Sequence, residues 1–275
     1  MPFVSTVNKD VIRRVFDKPI IEDEYLRRGK PLTYFGLPGP EMLDVLEWKD
    51  YLGSVIAVER EMYARHFMRT KAFKKGYSVD RFQILAGHID DIILKGEDLN
   101  GVKPKEAAFD LINLDYEGGL LYKDLNGESK RLKAIKKLFD MQREEKRDFV
   151  LILTVNTRNS DWGEFDRTLE DMKDELGEYG VNASETADWH KRARYDYKIK
   201  VYLPYVFNDW ARANRFLFKG IHAVTYLGSN NRRMVHFATV FACGDGTMTE
   251  LRKGHSLISI LNLPLYEAVN GKIRK

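Results

Sequence analysis

A short set of glycines, acids and one histidine stands at the ends of apolar runs in the first half of the chain, where a nucleotide-type ligand would need them. Phe35-Gly36-Leu37-Pro38-Gly39-Pro40 closes the run Leu32–Phe35. Glycine there lets backbone approach a ligand closely, although two glycines beside two prolines also make an ordinary turn. Glu59 ends Val55–Val58 and lies 23 positions after Gly36, close to the spacing of about 20 at which an acid accepts hydrogen bonds from a ribose diol. The alternative for Glu59 is an exposed acid opening the charged stretch Glu59-Arg60-Glu61. Gly87-His88-Ile89-Asp90-Asp91 follows Phe82–Leu85. His88, Asp90 or Asp91 could meet a cofactor, or the two acids could cap a helix whose dipole favours negative charge. Asp115-Tyr116-Glu117-Gly118-Gly119 follows Leu111–Leu114. Asp115 and Glu117 are the candidates to take up or orient a proton, and Tyr116 to stack on a base or ring. The alternative is a loop that Gly118 and Gly119 simply turn. Asn156, after the run Phe149–Val155, would flank the same crevice.

These residues can converge only if the runs lie side by side. Each run is short and apolar, as expected of strands covered on both faces, and the intervals suit crossover helices. Ligands of such open α/β sheets sit at the carboxyl ends of the strands. Five parallel strands are therefore expected near 32–35, 55–58, 82–85, 111–114 and 149–155. Helices are expected at Pro40–Trp48, Glu61–Lys75, Ser129–Glu145 and Trp162–Leu176, a short helix or turn at Ile89–Leu94, and a helical N-terminal extension over residues 1–30. Ile199–Tyr205 reads as an extended segment or the end of a helix. His222–Leu227 and Met234–Ala242 flank Gly228-Ser229-Asn230-Asn231 and read as an antiparallel hairpin.

Composition narrows the class. With 275 residues, 44% of them hydrophobic, the chain suits one large domain or a domain with an appendage. Its apolar runs fall far short of the roughly 20 residues of a membrane helix, and Met1–Asp10 does not read as a secretory signal. The single cysteine, Cys243, excludes an internal disulfide and a cysteine-based zinc cluster. A cytoplasmic protein is the simplest expectation. His66, His190, His222, His236 and His255 lack metal-ligand spacing with one another, so no structural metal is expected. The net charge of +4 is uneven: beyond residue 185 there are 15 Lys and Arg against 6 Asp and Glu, a net of +9, and before it 30 against 35. Within the basic part, Lys191-Arg192-Ala193-Arg194-Tyr195-Asp196-Tyr197 mixes cations with rings, a mixture suited to phosphates and stacked bases. Arg192 and Arg194 are the candidate contacts; a solvated surface is the alternative.

Parallel strands finished by an antiparallel hairpin resemble the class I S-adenosylmethionine-dependent methyltransferases, over about residues 30–243. The resemblance implies a doubly wound, mostly parallel seven-stranded sheet. It implies domains at 1–30 and 31–275, with a basic insertion or helical region at about 160–215. It also implies S-adenosylmethionine as cofactor, held by Phe35, Gly36, Gly39, Glu59, His88, Asp90 and Asp115, with catalysis at Asp115 and Glu117. Tyr116, Asn156, Arg192 and Arg194 would then meet a substrate, with nucleic acid the first choice. The chain departs from the family pattern in two ways: the first turn lacks a third glycine and a preceding acid, and the acid–proline–proline–aromatic motif of base-amino methylation is absent. A non-catalytic partner with the same core, or a nicotinamide-dependent oxidoreductase, are the rival readings.

Overall fold

The computed structural model of the protein describes residues 6–116, 118–120, 129–157, 195–228, 231–244 and 263–275. The five apolar runs become β1 (Leu32–Gly36), β2 (Leu52–Glu59), β3 (Phe82–Ala86), β4 (Leu111–Asp115) and β5 (Phe149–Asn156). They pair in parallel in the order β3-β2-β1-β4-β5. Next come β6 (Phe216–Leu227) and β7 (Arg233–Cys243); β7 inserts between β5 and β6 and runs antiparallel to both. All eight residues of β5 are buried, as its almost continuous apolar sequence leads one to expect.

The sheet has nine strands among the described residues rather than the expected seven. The additions are β8 (Leu265–Val269), parallel to β6, and β9 (Lys272–Arg274), antiparallel to β8. Asn270 and Gly271 join them at φ +48° and +72°. Two consecutive left-handed residues suit a two-residue hairpin turn, and Asn-Gly is its strongest sequence signal.

Helices cover both faces. On one face α2 (Lys18–Arg28), α3 (Leu43–Glu47) and α4 (Met62–Lys74) bury Ile21, Val45, Met68 and Ala72 against Tyr34, Val55, Leu111 and Ile152. On the other, α5 (Ile89–Lys95), α6 (Lys130–Glu144) and α7 (Tyr195–Ala213) bury Ile92, Leu138 and Phe207 against Phe35, Ile112 and Leu151. The span 199–205 is helical, so its extended alternative is corrected: Ile199, Leu203 and Phe207 recur every four residues and are all buried, and Pro204 lies inside the helix. The expected helix Trp162–Leu176 lies outside the described residues. Ahead of α2, α1 (Val7–Ile12) passes through a π-helical turn at Arg13–Asp17. Ile12 packs with Val224, Tyr226 and Ala268 of β6 and β8.

The register aligns the strand ends. Gly36 stands level with Ala57 of β2 and Asn113 of β4. Glu59 is level with Ala86, and Asp115 with Thr154, which is in turn level with His236. Glu59 and Asp115 therefore each lie two residues past the Gly36 row, and the turn after β1 leaves the sheet between them.

Candidate functional site

The turn after β1 is tight. A Cβ on Gly36 would lie 2.1 Å from the Asn113 carbonyl oxygen, and the Leu37 amide donates to that oxygen at 2.9 Å. Gly36 is thus required by contact with β4, whatever else it meets. Gly39 takes φ +64°, and the Met42 amide donates to its carbonyl at 3.1 Å. Phe35 faces away from this edge. It is buried in the core, stacked on Phe109 with ring centroids 4.3 Å apart, which corrects its expected place at the cofactor.

Glu59 is half-buried at the end of β2. One carboxylate oxygen accepts the Glu61 amide at 2.8 Å; the other has no hydrogen bond among the described residues. A carboxylate with an open oxygen at this position fits the acceptor of a ribose diol.

The acids after β3 are differently engaged. Gly87 takes φ +144°, which favours glycine, and His88 is exposed at the start of α5. Asp90 accepts the Tyr116 hydroxyl at 2.6 Å, and Asp91 pairs with Lys130 at 2.7 Å. Burial pushes the Asp90 carboxyl above the usual range against the pull of the Tyr116 hydrogen bond, and burial also raises Tyr116 well above an ordinary tyrosine. The Arg131 guanidinium lies 4.6 Å from the centre of the Tyr116 ring. A buried, covered ring has no free face for a base, so the expected stacking role of Tyr116 is corrected, and one oxygen of Asp90 is taken up by the Tyr116 hydroxyl.

Asp115 faces a buried polar network. Its carboxylate pairs with Lys9 of α1; Arg13 pairs with Asp44, and Asp44 accepts the Asn113 side-chain amide at 2.8 Å. Burial works against the Lys9 ammonium, yet the Asp115 carboxylate carries its pKa above the ordinary lysine value. Next to this network the buried His236 joins Asp17 (2.7 Å) to Thr154 (2.9 Å). The cavity among these groups measures ≈ 10 Å³, room for about one water and not for a cofactor. Asp115 is therefore not the free carboxylate its position after β4 suggested. Sequence reading missed Lys9, Arg13, Asp44 and His236, since no local signal ties them together.

Asn156 is buried, and its amide donates to the Gly118 carbonyl at 3.4 Å, which draws the chain after β4 toward the end of β5. Glu117, Arg192 and Arg194 lie outside the described residues. Asp98 was also missed: its carboxylate accepts the amides of Ala86, Asn100 and Val102 at 2.7–2.9 Å and folds residues 98–102 along the free edge of β3. Burial alone would raise its pKa, but these amides hold it below the usual carboxylate range.

The elements and the register define a doubly wound Rossmann-like sheet with an antiparallel strand inserted next to the last parallel one, as the methyltransferase resemblance implied. The profile of the PP_RS20740-like family matches residues 12–193, and the chain belongs to that family. No curated protein matches it in sequence. Among solved structures, M. jannaschii TYW2 in complex with AdoMet is 10% identical, covering 88% of this chain and 78% of that one at a TM-score of 0.44. An rRNA methylase from Streptococcus thermophilus is 11% identical, covering 80% and 94% at 0.40. No helix among the described residues is long and apolar enough to cross a membrane.

Proposed function

We propose that the protein is an S-adenosylmethionine-dependent methyltransferase whose cofactor lies along the carboxyl ends of β1, β2 and β3. The observation that carries this reading is Glu59, a half-buried carboxylate with one open oxygen, two residues past the Gly36 row. S-adenosylmethionine, when bound, supplies an electrophilic methyl group to a substrate nucleophile. The protein's own share is mainly alignment. Glu59 would accept the ribose hydroxyls, the backbone around Gly36, Gly39 and His88 would line the crevice, and Tyr116, fixed by Asp90, would form part of its wall. Asp115, its charge matched by Lys9, would orient a substrate group rather than remove a proton. That leaves Glu117 as the candidate base. Nucleic acid is the proposed substrate class, with Asn156, Arg192 and Arg194 at its contacts, and the cytoplasm the proposed location.

Calorimetric titration with S-adenosylmethionine, S-adenosylhomocysteine and NAD tests the reading. The first two should bind, and Glu59→Ala should weaken them by about 1.5–3 kcal/mol, the range for a hydrogen bond to a charged group. Binding of NAD alone would make the protein an oxidoreductase. A second reading, a partner protein without cofactor, is favoured by the engagement of Asp90, Asp91 and Asp115 with other side chains; failure of all three ligands to bind would select it.

A further inference from the structure

Helix α4 begins three residues after Glu59 and turns an unusual face to solvent. Met68 and Ala72 anchor its inner side in the core. Outward, the i, i+4, i+7, i+11 spacing sets Met62, His66, Arg69 and Phe73 in one line, with Tyr63, Phe67 and Lys74 in the line beside it. All seven are exposed, Tyr63 to 84%. No Asp or Glu occurs between Met62 and Val79, a span with five Lys or Arg. Arg69, Lys74 and Lys75 make no ion pair among the described residues, and the Lys71 ammonium lies 5.6 Å from the centre of the Phe67 ring. Exposing three aromatic rings on one helix leaves apolar area in water, which marks an interaction site rather than a solvated face.

We propose that this outer face of α4 docks single-stranded nucleic acid, with Tyr63, Phe67 and Phe73 stacking on bases and Arg69 and Lys74 meeting phosphates. The interleaving of rings and cations decides the class of partner. A helix that lies on a lipid surface separates an apolar arc from a cationic one, whereas on α4 cations and rings share one face, with Phe73 four residues after Arg69 and Lys74 in the line of Tyr63 and Phe67, as needed where bases and phosphates lie side by side along a strand. The helix is about 20 Å long and its first turn adjoins the carboxyl edge of β2, so a strand following it is led to the crevice. The surface supplies the substrate class of the proposed function, and rests on that reading only for what happens at the crevice.

The test is fluorescence anisotropy of the full chain with short labelled single-stranded RNA and DNA, their duplexes, and phosphatidylcholine–phosphatidylserine vesicles. Single strands should bind at low salt. Arg69→Ser with Lys74→Ser should flatten the slope of log affinity against log salt by about 1.4, at ~0.7 per single-strand phosphate contact. Tyr63→Ser with Phe67→Ser should leave the slope in place and cost roughly ten-fold or more in affinity, as expected for lost base stacking. These exposed positions leave the core intact, which thermal melting of each variant checks. No oligonucleotide binding at low salt, equal binding by both variants and the parent chain, or binding to vesicles alone overturns the proposal. S-adenosylmethionine titration of the same variants should be unchanged. If strands bind and the cofactor does not, the α4 surface stands and the methyltransferase reading falls.

Discussion

The Tyr116 hydroxyl donates a 2.6 Å hydrogen bond to Asp90, tying the residue after β4 to the first turn of α5. Both groups are largely withdrawn from water, so the bond carries the cost of a buried acid. Replacing Tyr116 with Phe should destabilise the fold by about 1–3 kcal/mol, the penalty for leaving a buried acceptor without its donor. Asp90 already has a raised pKa, and losing the donor raises it further. The penalty should therefore be largest at neutral pH and shrink on acidification, as Asp90 becomes neutral. Urea unfolding of both proteins across the acid range checks this; a penalty independent of pH would mean that Asp90 is not the partner that matters.

The Lys9–Asp115 pair joins the N-terminal helix to the end of β4 across 106 positions of sequence. Its side chains are 16% and 7% exposed. Removing one member of a buried pair strands the other charge, so Lys9→Met should cost about 3–5 kcal/mol, whereas Lys9→Met with Asp115→Leu should recover much of that loss. Denaturant midpoints for the two single variants and the double variant give the coupling. Additive losses would show that the pair does not act as a unit.

The parallel strands were legible because burial on both faces leaves a largely apolar run, which ends where the chain emerges at Gly36, Glu59 or Asp115. The last hairpin was not legible: Asn270-Gly271 is a turn signal, but β9 on one side of it is only three residues long and mostly polar, too short to read as a strand. Pro204 obscured α7, although Ile199, Leu203 and Phe207 keep the helical interval. At the site, sequence located the acids at strand ends but not their partners. Whether Asp90 meets a ligand or Tyr116, and whether Asp115 is free or held by Lys9, depends on contacts between residues distant in the chain, which spacing does not encode. The N-terminal cations look like solvent-facing charges in sequence, yet Lys9 and Arg13 are turned inward by α1 and the π-helical turn.

Asp98 has its pKa shifted in the opposite direction to that of Asp90. Its folded pKa lies below the ordinary aspartate value, so its stabilisation is fully present above an unfolded pKa of about 3.9 and is lost as pH falls through the folded value. Asp98→Asn keeps one acceptor oxygen for amides that now share two, and should cost about 1–2 kcal/mol at neutral pH. The difference between parent and variant should narrow below about pH 4. Amide hydrogen exchange at Ala86 and Val102, the donors to Asp98, should rise in the variant if the loop loosens; unchanged exchange would remove Asp98 as the clamp on β3.

Gly36 and Glu59 separate what the fold needs from what a cofactor needs. A methyl group on Gly36 would sit 2.1 Å from the Asn113 carbonyl oxygen, a backbone atom of the central strand β4. The collision cannot be relieved by a side-chain rotation, so β1 and β4 must separate locally and the Leu37–Asn113 hydrogen bond must lengthen. Gly36→Ala should thus lower stability by about 2–3 kcal/mol, within the range for overpacked interiors, before any ligand is added. Glu59 offers a contrast: it is half-buried and its carboxylate contact is local, to the Glu61 amide. Glu59→Gln keeps an oxygen for that amide and should change stability by less than about 0.5 kcal/mol, as for surface substitutions. Thermal melting without ligand should therefore split the two variants, with a lower Tm for Gly36→Ala alone. Melting with S-adenosylmethionine should then give a smaller ligand-induced rise for Glu59→Gln than for the parent. Equal rises in the two would mean that the carboxylate charge takes no part in binding, and Glu59 would lose its place in the site.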